Sequence, residues 1–500
     1  MKRGLQTALA VVAAAQLGPV AGVNGQEHEL RTTQHQIDVA GRTLRYTAHA
    51  GFIPIRDNGT GEIHGQIFFV SYSLDDGEPS SQRPLTFAWN GGPGSNSVLV
   101  HLVGFGPRRL SEVGPRPSLV DNPDTWLPST DLVFVDPIGT GFSRPARAEY
   151  ADEFYNVLGD IDAVAEFIRV YRTRFDALHR PLFLAGESYG VWRAAGVAEK
   201  LTAAGQPVTG VMLISGGIPL GPVATAEQRT AMFVPNRTAA AFHHGKLPAE
   251  LQRDLPDAVR QAERWARNVY APALARRDAL GTAERDEVIA DLARFTGIDP
   301  ASIDPTTLSM SSPEFRAALL RDEGRTAGRY DMRVTEAAEP TVRPVLVRRY
   351  LQNELEFATD LAYQGLEAGY SAGEAPPSVG ARWGWNQAPP GAPPSNAGSG
   401  DGPPGGAQPW LRRAMDLDPA LVAFVAAGLY DSLNSCADNA WIVEHIEPRL
   451  RANITTGCYP GGHVMYDGSE ARRALAADVA TFIAAAAARR SGGQEERRIR

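Results

Sequence analysis

The 500-residue sequence predicts an α/β fold: a doubly wound, mostly parallel sheet with an inserted, mostly helical cap. From Leu85 onward, short apolar runs alternate with helical stretches, and such runs are typical of strands buried on both faces of a parallel sheet. The alternation stops after Leu220, where a helical stretch rich in Arg, Ala and Glu begins, and it returns near Ala420. We therefore expect one layered core that is interrupted by a helical insertion.

The predicted core strands are apolar runs that end in Gly, Asp or other turn-forming residues. They cover 84–89, 131–136, 181–185, 210–215, 420–428 and 453–459. Helices are predicted over 153–175, where apolar residues recur at helical intervals, and in the closing stretch "SEARRALAADVATFIAAAAARR". The last helix follows the last strand, as an alternating α/β order requires.

The N-terminus is predicted to be a secretory signal peptide, residues 1–25. Lys2 and Arg3 precede an apolar, charge-free stretch that ends in small residues. Gln16, Gly18 and Pro19 interrupt this stretch before it reaches the ~20 apolar residues that a spanning helix needs. We expect a protein exported to the periplasm or the extracellular space, without stable membrane insertion.

Changes in composition divide the rest of the chain. The predicted segments are a first core part (26–220), a mostly helical cap (221–375), a Pro/Gly-rich loop (376–409), a second core part (410–490) and a polar tail (491–500). The loop is expected to be flexible because its composition buries too little apolar surface to order it.

Charge and cysteine content exclude several functions. The net charge of −8 and the pI of 5.8 argue against a nucleic-acid or anionic-membrane surface. Cys436 and Cys458 are the only cysteines, and an exported protein accommodates them either bonded or free. Without a C-x-x-C pair or ligand-spaced histidines a zinc site is disfavoured, so we expect no metal and no cofactor. The sequence does not indicate an oligomeric state.

Ser188 is the candidate nucleophile. It lies in "GESYG", a G-x-S-x-G pentapeptide directly after a predicted strand, which is the setting of a nucleophile elbow. A serine needs a base to take its proton, and in this type of site an acid and then a histidine follow on loops after later strands. Asp431 follows the strand "AFVAAG", and His463 follows "NITTGCY" in a Gly-rich loop. Asp438 and Asp467 compete for the role of the acid but lie less close to a strand end.

Acyl transfer through a serine nucleophile also needs hydrogen-bond donors for the oxyanion that forms. The backbone N–H of Tyr189, directly after the nucleophile, is one candidate, and the loop "NGGPGSNS" after an earlier strand is the other. Its glycines allow close approach of the backbone to a ligand. The loop lacks the Gly-Lys-Ser/Thr ending of a phosphate-binding loop.

With these motifs the sequence resembles the serine carboxypeptidase family. Two of them, "GLYD" and "GGHVMY", resemble its bacterial members most. The stretches that carry the resemblance are "WNGGPGSNS", "DPIGTGFS", "GESYG", "GLYD" and "GGHVMY", spread from Trp89 to Tyr466. The resemblance implies an α/β-hydrolase fold with a helical insertion. It also implies a serine-type hydrolase that releases single residues from peptides with a free C-terminus.

The resemblance assigns roles to named residues. It supports Ser188, Asp431 and His463 as the catalytic triad and implies an oxyanion hole formed by the N–H groups of Gly92 and Tyr189. It further implies that Asn90 and Glu187, with Gly91 beside them, bind the substrate's C-terminal carboxylate. One carboxylate can hold another only through a shared proton, so binding weakens as pH rises.

The sequence also departs from the family. Many members carry a second glutamate that pairs with the one before the serine, and the equivalent position here is Gly104. Arg108 and Arg109 are nearby cations that offer a substitute. A disulfide cysteine of many members is Ser95 here, and a Cys436–Cys458 bond would instead tie the aspartate loop to the strand before the histidine.

Other functions stay open at this stage. An esterase or acyltransferase on the same scaffold would share the triad and the oxyanion hole. A binding protein with a dead site and a prolyl aminopeptidase are further alternatives, although the latter does not usually carry "WNGGPG".

Overall fold

The computed structural model describes residues 30–77, 83–111, 118–336, 344–365, 379–388 and 408–499. The predicted signal peptide and most of the Pro/Gly-rich loop lie outside these residues. No helix among the described residues is long and apolar enough to cross a bilayer.

A twisted, mixed sheet forms the centre of the molecule, with strand order β1-β2-β3-β7-β4-β9-β10-β11-β12 and β8 beside β3. Its strands are β1 (Arg31–Val39), β2 (Arg42–Arg56), β3 (Ile63–Leu74), β4 (Leu85–Trp89), β7 (Asp131–Val135), β8 (Arg144–Pro145), β9 (Leu182–Glu187), β10 (Gly210–Ile214), β11 (Val422–Gly428) and β12 (Ile454–Tyr459). Strands β5 (Arg108–Ser111) and β6 (Ser118–Asp121) form a separate hairpin-like pair.

Six neighbouring strands of the sheet are parallel, in the spatial order β7-β4-β9-β10-β11-β12. Helices carry the chain back between them. All six strands predicted from the sequence are present, with ends shifted by at most two residues. The antiparallel β1–β3 extension was not predicted. Much of its outer part is half-exposed and alternates polar with apolar residues, so it lacks the continuous apolar runs of the central strands.

Fourteen α-helices are present among the described residues. They are α1 (Ala151–Phe154), α2 (Val157–Arg174), α3 (Gly190–Ala203), α4 (Ala226–Met232), α5 (Val234–His243), α6 (Leu255–Trp265), α7 (Ala271–Ala275), α8 (Thr282–Thr296), α9 (Ser312–Leu319), α10 (Pro344–Arg349), α11 (Trp410–Leu417), α12 (Cys436–Glu444), α13 (Pro448–Arg451) and α14 (Ser469–Ile499). A π-helical segment, Leu99–Phe105, follows the loop after β4.

Helices cover both faces of the sheet. Helices α2, α3 and α11 pack together over one face, and the π-helical segment and α14 lie over the other. Helices α4–α9 enclose a third apolar cluster, around Trp265, Tyr270 and Phe315. Helix α14 continues through the stretch that the composition marks as a polar tail. This layered order brings the carboxyl ends of β4, β9, β10, β11 and β12 to one edge, where the candidate site lies.

Candidate active site

Ser188 occupies a strained turn between β9 and α3. Its φ of 57° lies in the left-handed region, which costs a non-glycine residue about 1–3 kcal/mol and persists only where the surroundings enforce it. The turn is tight: a Cβ on Gly186 would lie 2.0 Å from the carbonyl oxygen of Gly190. The Ser188 amide donates to the carbonyl of Ile214 at the end of β10 (2.9 Å). These features are those of a nucleophile elbow.

Asp431 and His463 meet on the loops after β11 and β12. The imidazole Nδ1 donates to Asp431 Oδ2 at 2.8 Å, and the two side chains are 3% and 0% exposed, respectively. The Leu433 amide and the Asn434 side chain also donate to this carboxylate, at 2.8 and 3.2 Å. Because Nδ1 carries the proton in this bond, Nε2 is the nitrogen available to act as a base. Neither Asp438 nor Asp467 is hydrogen-bonded to the imidazole in the described part of the chain.

The charge environment of His463 suits a base that becomes cationic. Burial alone would lower the pKa of the imidazole, but the charge and hydrogen bond of Asp431, with a contribution from Glu187, outweigh it and raise the pKa. The positive charge of Arg329 opposes this rise. The imidazolium that forms when a serine is deprotonated is therefore stabilised in place.

The end of β10 links the serine to the histidine. Ile214 accepts from the Ser188 amide, and the hydroxyl of the next residue, Ser215, donates to the carbonyl of His463. Within the described residues the Ser188 hydroxyl itself makes no hydrogen bond. Catalytic hydrogen bonds are often long before substrate binds, so this open geometry is compatible with a serine–histidine pair.

The loop after β4 packs directly against the elbow. A Cβ on Gly91 would lie 2.5 Å from the Tyr189 amide nitrogen and 2.6 Å from the Glu187 carbonyl, so only glycine permits this approach. The Trp89 indole donates to the carbonyl of Gly190 at 3.0 Å. The backbone around Gly92 is thus held beside the Tyr189 N–H, which is the arrangement that two oxyanion donors require.

A buried ion pair fastens these two segments. Arg193, fully buried on α3, pairs with Asp160 of α2 at 2.8 Å and donates to the Asn90 carbonyl, also at 2.8 Å. The Tyr189 hydroxyl donates to the same Asp160 oxygen at 3.1 Å. Sequence reasoning missed this network. A buried arginine is visible only when the contacts of the folded chain are known.

Glu187 and Asn90 form a buried pair next to the nucleophile. Asn90 Nδ2 donates to Glu187 Oε1 at 3.0 Å, and each residue is 2% exposed. Glu187 Oε2 accepts from the hydroxyl of Tyr466, a residue to which the sequence analysis assigned no role. Burial raises the pKa of Glu187, and its hydrogen bonds and the charge of His463 only partly offset that rise. The carboxyl group of Glu187 therefore stays protonated to higher pH than that of an exposed glutamate.

Tyr330, in the segment after α9, lies beside the histidine. The Tyr330 carbonyl accepts a hydrogen bond from the His463 amide at 2.6 Å. The centroid of the Tyr330 ring lies 5.6 Å from the centroid of the His463 imidazole. The ring is 44% exposed, and the Arg329 guanidinium lies over it at 5.7 Å. No motif marks this pair, because it comes from the helical insertion and meets the site only in the fold.

Of the two arginines suggested as substitutes for the missing glutamate, Arg108 is engaged elsewhere. Arg108 pairs with Asp121 and with Glu354, the latter at 3.2 Å. Among the described residues neither it nor Arg109 is hydrogen-bonded to Asn90 or Glu187, whose carboxyl group is instead bonded to Asn90 and Tyr466.

Cys436 and Cys458 are bonded, which joins the start of α12 to β12. Within the described residues no three His, Cys, Asp or Glu side chains are grouped so that they would hold a metal ion.

A family model described as serine carboxypeptidase matches residues 40–223. Over these residues the chain is similar to the serine carboxypeptidase family. The matched part contains the loop after β4, the elbow and Glu187. Asp431 and His463 lie outside it, so their assignment rests on the fold and their mutual contact.

Curated relatives are similar to part of the chain. The pheromone-processing carboxypeptidases KEX1 of Saccharomyces cerevisiae and kex1 of Sclerotinia sclerotiorum are each 34% identical, over 151 and 144 residues. These alignments cover 28% of this chain and only about a fifth of each relative (20% and 21%).

The crystal structure of yeast Kex1(delta)p, a prohormone-processing carboxypeptidase, superposes with a TM-score of 0.50 and 16% identity. The superposition covers 87% of this chain and 91% of the other. At this identity the likeness shows the fold alone, and the predicted α/β-hydrolase fold class is confirmed.

Proposed function

We propose that the chain is an exported serine carboxypeptidase that releases C-terminal residues from peptides through an acyl-enzyme on Ser188. The observation that carries the proposal is the buried Glu187–Asn90 pair, directly beside the nucleophile. A hydrolase for neutral esters has no need of a desolvated carboxyl group at this place, whereas recognition of a substrate carboxylate does. The signal-like N-terminus supports export.

The first half of the reaction transfers the acyl group. The Ser188 oxygen attacks the last peptide carbonyl while its proton passes to His463 Nε2, and Asp431 stabilises the imidazolium. The amides of Gly92 and Tyr189 donate to the oxyanion that forms. The carbon–nitrogen bond then breaks, the imidazolium gives its proton to the leaving amine, and the C-terminal amino acid departs.

The second half uses water. His463 takes a proton from a water molecule, whose oxygen attacks the acyl-enzyme carbonyl through a second oxyanion. Collapse of this intermediate breaks the ester bond to Ser188, returns the proton to the serine oxygen and releases the shortened peptide. No metal or cofactor enters these steps.

Substrate selection rests on the protonated carboxyl group of Glu187. It donates a hydrogen bond to the substrate's C-terminal carboxylate, and the side-chain amide of Asn90, which also contacts the Tyr466 hydroxyl, is a second donor beside it. Gly91 lets the loop that carries Asn90 pack directly against the elbow that carries Glu187. Deprotonation of Glu187 would place two negative charges together, so peptide binding weakens as pH rises through its raised pKa.

The test compares N-blocked peptides that end in a free carboxylate with the same peptides as C-terminal amides. The proposal expects release of the last residue from the free acids and much slower cleavage of the amides, with both reactions lost in Ser188→Ala. Equal cleavage of acids and amides would refute carboxylate recognition. Activity only on simple esters would favour the second candidate, an esterase or acyltransferase, which the open Ser188 hydroxyl and shared triad also support.

A further inference from the structure

Tyr466 occupies the space that the family's second glutamate would need. Counted from "WNGGPG", Gly104 is at that glutamate's position, and a Cβ built on it would lie only 3.0 and 3.1 Å from Cδ2 and Cε2 of the Tyr466 ring. The ring is fully buried, and its edge contacts Phe105 with ring centroids 4.9 Å apart. A longer side chain at 104 and the ring in this position therefore exclude one another.

The hydroxyl of Tyr466 also makes the contact that a second carboxyl group would make. It donates to Glu187 Oε2, while Asn90 holds Oε1. The backbone of this segment is fixed as well, since Arg472 donates to the Tyr466 carbonyl at 3.0 Å. These buried contacts hold the Tyr466 hydroxyl against Glu187.

We propose that Tyr466 is the positioning residue that replaces the family's second glutamate: its hydroxyl holds Glu187 and sets the pH range in which Glu187 can bind a substrate carboxylate. This inference rests on the proposed carboxypeptidase function. It deepens that function, because it names the group that controls the pH dependence of peptide recognition.

The chemistry of a phenol differs from that of a second carboxyl group. Burial and the neighbouring charge of Glu187 raise the pKa of Tyr466 well above its ordinary value, so its proton stays in place at every working pH. A donor that never ionises stabilises the charged form of Glu187, and therefore lowers the pKa of Glu187 relative to the same buried carboxyl without that bond.

The other charges around the pair are accounted for. His463 lowers the pKa of Glu187, Asp431 raises it, and the charge of Asp467 raises the pKa of Tyr466. Removal of the Tyr466 hydroxyl leaves these groups unchanged. It should therefore raise the pKa of Glu187 and keep Glu187 protonated, and able to bind a carboxylate, to higher pH.

The experiment measures kcat/KM against pH for Tyr466→Phe and wild type, with an N-blocked peptide acid and with a small ester that lacks a carboxylate. The alkaline limb of the peptide profile should move up by about one pH unit. The ester profile should move far less, because Glu187 affects the ester reaction only through its small contribution to the pKa of His463. The matched control is Tyr459→Phe, which removes another buried phenol–carboxylate bond, to Asp478 at 2.6 Å, away from Glu187. Its peptide limb should not move.

A second variant tests the same idea in the opposite direction. Fluorotyrosine at position 466 keeps the ring and is a stronger donor, so the peptide limb should move to lower pH. An unmoved limb in both variants, or equal shifts for peptide and ester, would overturn the role of Tyr466. Absence of wild-type cleavage of the peptide acid would instead refute the proposed function itself, so the two failures are distinguishable.

Discussion

Substitution of Gly91 by alanine tests the oxyanion arrangement at its tightest contact. The added Cβ would lie 2.5 Å from the Tyr189 amide nitrogen, whereas ordinary contact starts at 3.4 Å, so the loop and the elbow must separate by 0.9 Å. Misplacement of catalytic groups by about 1 Å costs about 100-fold in rate, and loss of one oxyanion donor costs about 100- to 1,000-fold. We therefore expect Gly91→Ala to lower kcat about 100-fold.

The assay measures kcat and KM with a small chromogenic ester, so that carboxylate recognition plays no part. Gly217→Ala is the matched control, because a Cβ on Gly217 would meet no atom within 4 Å. Thermal unfolding of both variants separates a local change from a loss of fold. If folded Gly91→Ala retains the kcat of the control, the loop after β4 does not supply an oxyanion donor and our reasoning is wrong.

Three further predictions concern the acid, the disulfide and the base. Asp431→Asn should lower kcat about 10,000-fold in stopped assays because the imidazole loses its orienting anion, and a loss below about tenfold would point to another acid. Cys436→Ser with Cys458→Ser opens a loop with a sequence separation of 22, which should lower the free energy of unfolding in urea by about 3 kcal/mol. An unchanged urea midpoint would mean that the bond does not stabilise the fold. Ester kcat/KM should fall as pH drops through the raised pKa of His463, since only the neutral imidazole is a base; a midpoint below the ordinary 6.5 would contradict this.

The central strands were predictable because burial on both faces leaves a local mark. All residues of β4, β7, β9 and β10 are buried, and the sequence shows each as a short apolar run bounded by Gly, Pro or Asp. The positions of Ser188, Asp431 and His463 after β9, β11 and β12 follow from the same rule. Parallel strands end at one edge, so residues distant in sequence meet there.

The side-chain contacts that position the site residues leave no local pattern in the sequence. Arg193 with Asp160, Tyr330 with His463, and Tyr466 with Glu187 join segments far apart in the chain, and each depends on how separate layers pack. Gly104 was recognised from the sequence as a missing carboxylate. That a tyrosine beyond the histidine fills its place depends on the side-chain packing between the π-helical segment and the last loop.

The measurement that tests the central claim most directly is the ratio of peptide to ester kcat/KM in Glu187→Gln against wild type. Both rates share Ser188, His463 and the oxyanion donors, so the ratio isolates recognition of the substrate carboxylate. Our account predicts that the ratio falls at least about tenfold and that the peptide profile loses its alkaline limb. Equal losses for peptide and ester would contradict it, since Glu187 would then support the nucleophile rather than bind the C-terminus.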